Sequence, residues 1–64
     1  MIRVGYRTTD NTDVTHQMYD NIGEANEALF QLRNTESTNT SIRYFYLETQ
    51  ITETKWQKYG YVDP

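Results

Sequence analysis

The 64-residue chain predicts a single two-layer α+β domain spanning residues 1–64, with an antiparallel sheet packed on one helix in the order ββαβ. Three patterns carry this reading. Residues 2–8 alternate apolar and polar side chains with the period of a half-buried strand. Ile22, Ala25, Ala28, Leu29 and Leu32 recur at helical spacing on one stripe. After a polar loop, the alternation returns from Ile42 to about Ile51.

Each element has its own local signal. In the first strand Ile2, Val4 and Tyr6 share one face, with Arg3, Gly5 and Arg7 on the other. Asp10-Asn11-Thr12-Asp13 is dense in residues that bond their own backbone, and predicts a hairpin turn. The second strand follows, with Val14, His16 and Met18 expected on the core side and Thr15, Gln17 and Tyr19 opposite. Asn21-Ile22-Gly23-Glu24 reads as a helix start, with Asn21 as the cap and Glu24 favouring the positive helix end. Asn34 is the expected left-handed stop. Phe30 falls off the apolar stripe, so either a neighbouring loop or the C-terminal tail covers it, or it meets another chain.

Residues 35–41 are polar throughout. In the third strand Phe45, Leu47 and Ile51 are placed on the core face, and Tyr44, Tyr46, Glu48 and Gln50 on the other. No glycine, asparagine or proline marks a tight turn near Thr52, which favours continuation through Trp56 as one long bent strand. A fourth short strand and a short helix from Thr52 or Thr54 are the rivals. Gly60 is read as a turn before a tail, residues 61–64.

Composition narrows the function classes. A chain this short buries only about 60% of its unfolded surface, and small domains commonly add a staple. With no cysteine, disulfides and thiolate metal sites are ruled out. His16 alone makes no zinc set. Self-association, as a homodimer or higher oligomer, is the remaining staple. Nine acidic against six basic residues give a net charge of −3, which argues against nucleic acid as a partner. No apolar run approaches the ~20 residues of a membrane span, and no leader pattern follows Met1, so a cytoplasmic, membrane-free protein is expected.

Reaction chemistry is not visible. His16 has no nucleophile or second titratable group at a telling spacing, Asp10, Asp13 and Asp20 do not match a calcium loop, and Gly5, Gly23 and Gly60 are too scattered to cradle phosphate. The chain is therefore expected to be no enzyme and to need no cofactor or metal.

The aromatic residues are the strongest functional signal: Tyr44-Phe45-Tyr46, then Trp56, Tyr59 and Tyr61. A helix on one sheet face leaves the other open, and that face should show Arg3, Arg7, Gln17, Tyr19, Tyr44, Tyr46 and Trp56. Tyrosine, tryptophan and arginine dominate binding hot spots because they bury much area with few rotatable bonds. Tyr44, Tyr46, Trp56, Tyr19, Arg3, Arg7 and Phe30 are the candidate partner-binding residues. The residue 49–54 stretch offers a second route, pairing as an exposed edge strand.

The helix opened by Tyr19-Asp20-Asn21-Ile22-Gly23-Glu24-Ala25, and the run from Arg43-Tyr44-Phe45-Tyr46 into Thr52-Glu53-Thr54-Lys55-Trp56, resemble small accessory proteins encoded by phages and prophages of low-GC bacteria. That resemblance implies a viral binding protein: a stoichiometric inhibitor of a host defence protein or enzyme, of the anti-CRISPR kind, acting in the host cytoplasm. Occlusion by the aromatic face, or by an acidic helix face with Glu24 and Glu27, is the expected mechanism. Two alternatives stand beside it. One is capture of a nucleotide at an oligomer interface, with Arg3, Arg7 or Arg43 on phosphate and a tyrosine on the base. The other is a structural component that assembles with itself.

Overall fold

A computed structural model describes the backbone of residues 1–64 and every side chain except that of Tyr59. Five elements follow one another: β1 (Ile2–Thr8), β2 (Asp13–Tyr19), α1 (Ile22–Thr35), β3 (Ile42–Gln50) and β4 (Trp56–Val62). The strands form one sheet in the order β2-β1-β3-β4, with each neighbour antiparallel. α1 packs across β1, β3 and β2. This is the small α+β domain the sequence predicts, with one strand more.

The core lies between α1 and the sheet. Ile2, Val4, Phe45 and Leu47 from the central strands meet Ala25, Leu29 and Leu32 of the helix stripe, and Ile42 closes one end. Register explains the match: Val4 lies opposite Leu47 and Tyr6 opposite Phe45, whose rings meet edge-on at 6.1 Å. Asn21 caps α1 as expected, its side-chain oxygen accepting from the N–H groups of Gly23 (2.7 Å) and Glu24 (3.2 Å). The other end differs from expectation. Asn34 stays in the helix, and the N–H of Glu36 carries the ladder on to Leu32 at 2.9 Å. Phe30 is 51% exposed, and the C-terminal segment reaches Arg33 instead, which donates to the Asp63 carbonyl at 2.7 Å.

The first hairpin closes through Thr9, Asp10 and Asn11. The Thr8 N–H donates to the Thr12 carbonyl, the Asn11 N–H donates to Thr8, and Asn11 takes a left-handed φ of 68°. The Thr8 hydroxyl and then Thr12 donate to the Asp10 carboxylate, which holds it below its ordinary 3.8.

β2 corrects the expected facing. Gly5 pairs with Thr15 and Val4 with Gln17, so His16 is an extra, bulged residue. One extra residue reverses the phase beyond it. Tyr19 therefore packs against the helix-side core, while Met18 faces away and is 48% exposed. The bulge goes with a close approach at Gly5: a Cβ there would stand 2.2 Å from the Val14 carbonyl oxygen.

β3 ends at Gln50 and the chain turns back, against the favoured long strand. The turn needs no glycine because Thr52 supplies both acceptors for the Lys55 N–H, its carbonyl at 3.3 Å and its hydroxyl at 3.1 Å. Ile51 is thereby carried out of the core to 57% exposure. β3 is a central strand, so the free edges of the sheet are β2 and β4 and not the 49–54 stretch. Gly60 sits inside β4 with φ 69°, where the register shifts between Phe45 and Leu47. It marks a bulge and not a turn.

Gly5→Ala should therefore lower the unfolding free energy by about 2–3 kcal/mol, the cost of forcing atoms into packed backbone. Gly60→Ala should cost about 1–2 kcal/mol, from the left-handed conformation alone, since its Cβ would find Leu47 at an ordinary 3.6 Å. Denaturant unfolding of the two variants checks the order; equal losses would show that β2 can shift away from Gly5.

Candidate functional site

The sheet face turned away from α1 is organised around Gly5. Tyr46 lies directly opposite it on β3, and glycine leaves room for a ring. Tyr46 is only 1% exposed, and the Lys58 ammonium stands 5.0 Å from its ring centroid. Lys58 donates to Asp13 Oδ2 at 3.2 Å and pairs with Glu48 Oε2 at 3.4 Å. Arg3 Nε donates to Glu48 Oε1 at 2.6 Å, and Arg7 Nη1 to Asp13 Oδ1 at 3.1 Å. The result is one chain of charges, Arg7–Asp13–Lys58–Glu48–Arg3, laid across the face.

This bridge reports the shape of the sheet. β2 and β4 are its two edges, and in a flat sheet they would stand three strand spacings, ~14 Å, apart. Contact between Asp13 and Lys58 across that span goes with the twist of the sheet and with the long Lys58 side chain lying over the Tyr46 ring. The cations are committed to that contact. Glu48 is 5% exposed, and stripping partners from a buried carboxylate costs about 3–5 kcal/mol.

The charges show the same coupling. Partial burial works to raise the pKa of Asp13, but Lys58 and Arg7 together outweigh it and hold the carboxyl below its ordinary 3.8. Burial likewise pulls on Lys58, and Asp13 and Glu48 overcome it, holding the ammonium above its ordinary 10.5. Burial first, then the negative charges of Asp13 and Glu48, push the Tyr46 phenol far above its ordinary 10.0.

Aromatic clusters flank the bridge on both sides. Toward one end Tyr44 meets Tyr61 edge-on at 5.3 Å, and Tyr61 is 60% exposed. Toward the other, the Arg3 guanidinium lies 4.1 Å from the Trp56 ring centroid, with Met18 paired beside Arg3. Both rings are held before any partner arrives.

Of the residues expected at the site, Tyr44, Trp56 and Arg3 are brought together on this face in partly exposed positions, and Arg7 joins them through Asp13. Tyr46 is on the face but not displayed. Tyr19 is on the helix side, displaced by the bulge, and Gln17 goes with it into a cavity of about 270 Å³ against α1. Phe30 is exposed on α1, away from the cluster. The Tyr59 ring lies outside the described side chains. Tyr61 belongs to the aromatic signal of the sequence but is expected there in the tail and not at the site, and Met18, Asp13 and Lys58 carry no signal for it in the sequence. Tyr61 and Lys58 become legible only once β4 is known to pair with β3, which places Lys58 opposite Glu48.

His16 is exposed on the edge strand. Among the described residues no group of histidine and carboxylate side chains is arranged to hold a metal ion, and no helix is long and apolar enough to cross a membrane.

Linkage fixes the sign of the pH dependence. The lowered carboxyl of Asp13 contributes stability above its ordinary value and loses it as pH falls below about 4. The raised Tyr46 and Lys58 contribute below their ordinary values and lose stability as pH rises beyond about 10. Melting temperature should therefore hold level between about pH 5 and pH 9 and fall on both sides. Asp13→Asn should flatten the acid side, and Tyr46→Phe should soften the alkaline side while keeping the ring. An unchanged acid slope in Asp13→Asn would detach Asp13 from the bridge.

No family model matches this chain, and neither a curated protein nor a solved structure matches it.

Proposed function

We propose that the domain is a non-enzymatic protein-binding module that blocks a partner by covering it with the sheet face turned away from α1. The observation that supports this most is the pairing of a rigid centre with two displayed clusters, Tyr44–Tyr61 and Trp56–Arg3. Aromatic and arginine anchors bind well when they lose little freedom on docking. Here the Tyr46 core and the charge bridge hold the backbone beneath both clusters, so the ordering cost falls on folding and not on association. Cations of the bridge are already paired, so affinity rests on ring burial.

The resemblance to small phage accessory proteins makes a host protein, such as a defence enzyme, the first class of partner to test, with the inhibitor acting stoichiometrically in the bacterial cytoplasm. Nucleotide capture is the alternative reading. Its arginines are engaged: Arg3 with Glu48, Arg7 with Asp13, and Arg43 with Asn11 at 2.6 Å. Self-assembly through the same rings is the third.

The test is a pair of baits in bacterial lysate, the native chain and a Trp56→Ser/Tyr61→Ser double variant. Both residues are at least partly exposed, so the variant should fold with a near-native melting temperature. A stoichiometric partner retained by the native chain and lost by the variant is the expected result. Recovery of no partner, with a thermal shift on adding millimolar nucleotide, would replace this reading with ligand capture. A concentration-dependent oligomer abolished by the same substitutions would replace it with self-assembly.

A further inference from the structure

On the other side of the sheet a groove runs between α1 and the edge strand β2. Two cavities of about 220 Å³ and 270 Å³ lie end to end and share Tyr19, Ala28 and Gln31. From Glu24 to Glu36 they follow the helix for ~18 Å at its 1.5 Å rise. The floor is Tyr19, Ala28 and Leu32. This groove is separate from the ring-bearing face and does not rest on the function proposed for it.

One wall of the groove is an unfinished ladder. β2 pairs with β1 alone and forms the margin of the sheet. Half of its backbone N–H and C=O groups therefore point outward, the arrangement that accepts one more strand. The His16 bulge turns both His16 and Gln17 toward the groove, as bulges do where they re-aim side chains.

Charge separates the two sides of the molecule. The described ion pairs Arg3–Glu48, Arg7–Asp13, Lys58–Asp13 and Lys58–Glu48 all lie on the far face. Glu24, Glu27 and Glu36 line the groove with no lysine or arginine among its lining residues. Spacing also fits. Residues three apart on a helix stand ~5–6 Å apart, and alternate residues of an extended strand ~6.6–6.8 Å apart. Two cations at i and i+2 of a strand laid along β2 would meet Glu27 and Glu24 in turn.

We propose that this groove binds an extended basic peptide, added to the sheet as a fifth strand beside β2, with alternate lysine or arginine side chains over Glu24 and Glu27. A second copy is a poor occupant for this groove, because the chain carries a net charge of −3 and the groove lining is itself acidic.

The probe is a fluorescent Lys-Thr-Lys-Val-Lys-Thr peptide, with a Glu-for-Lys analogue and two analogues N-methylated on the backbone, one at the central lysine and one at the valine. Anisotropy gives affinity, and backbone amide shifts give the site. Binding should perturb Thr15–Tyr19 and the groove side of α1, vanish with the Glu analogue, and fall sharply with whichever N-methyl group replaces an N–H facing β2, since alternate residues of an added strand donate to the ladder. Glu24→Gln/Glu27→Gln should weaken it about tenfold, as two partly exposed charge pairs allow. Ala28→Trp, which fills the groove from a half-buried position, should abolish it with the melting temperature retained. Equal affinity for both N-methylated peptides, binding that survives Ala28→Trp, or shifts confined to the Trp56 face would each overturn the proposal. So would a β2-paired dimer of the chain itself.

Discussion

The contact between Gly5 and the Val14 carbonyl organises both sides of this domain. Only a residue without a Cβ allows β2 to approach β1 so closely, since a methyl would stand 2.2 Å from that oxygen. Two consequences follow on opposite faces. Away from the helix, the missing side chain gives Tyr46 space to lie across β1, and Asp13 meets Lys58 over it. Toward the helix, the extra residue at His16 turns Gln17 and Tyr19 against α1 and lines a groove. One backbone position thus shapes two surfaces.

The charge bridge gains its weight from what lies beneath it. Exposed ion pairs contribute little, about 0–1 kcal/mol each, and by count alone these four would matter less than one buried leucine. Glu48 and Tyr46 are not exposed, however, and a buried carboxylate without partners is far costlier than a surface pair is favourable. The bridge is therefore best understood as the condition for closing the second face of a sheet whose first face already has its helix. A small chain gains a second hydrophobic element, the Tyr46 ring, without a second helix.

Much of this was legible in the sequence where a local rule acts alone. The period of β1, the stripe Ala25–Leu29–Leu32 and the Asn21 cap each depend on neighbours within one or two turns. The misreadings share a different cause. Period-two counting along β2 fails at His16 because a bulge is set by a partner strand, here by Gly5 eleven positions earlier. The β3–β4 turn was missed because Thr52 does with its hydroxyl and carbonyl what glycine or asparagine does with backbone freedom. Tyr46 was placed on the correct face, yet its burial depends on Lys58 reaching across from β4, a strand the reading had not separated from β3. The same alternation that found Tyr44 and Trp56 for the candidate site could not tell a displayed ring from a covered one.

The division of charge suggests why the two surfaces differ in kind. On the ring-bearing face, Arg3, Arg7 and Lys58 are neutralised internally, so what remains for a partner is aromatic area with geometry already set. Along α1 and β2, Glu24, Glu27 and Glu36 are left without lysine or arginine in the groove lining. Long-range attraction to a basic chain falls off over about 8–10 Å at physiological salt, which is comparable with the width of the helix. Acids on that side therefore act on what enters the groove far more than on what docks against the rings. Affinity for the groove should depend strongly on salt, and affinity for the ring-bearing face weakly, because the groove draws on unpaired charge and the rings on area removed from water.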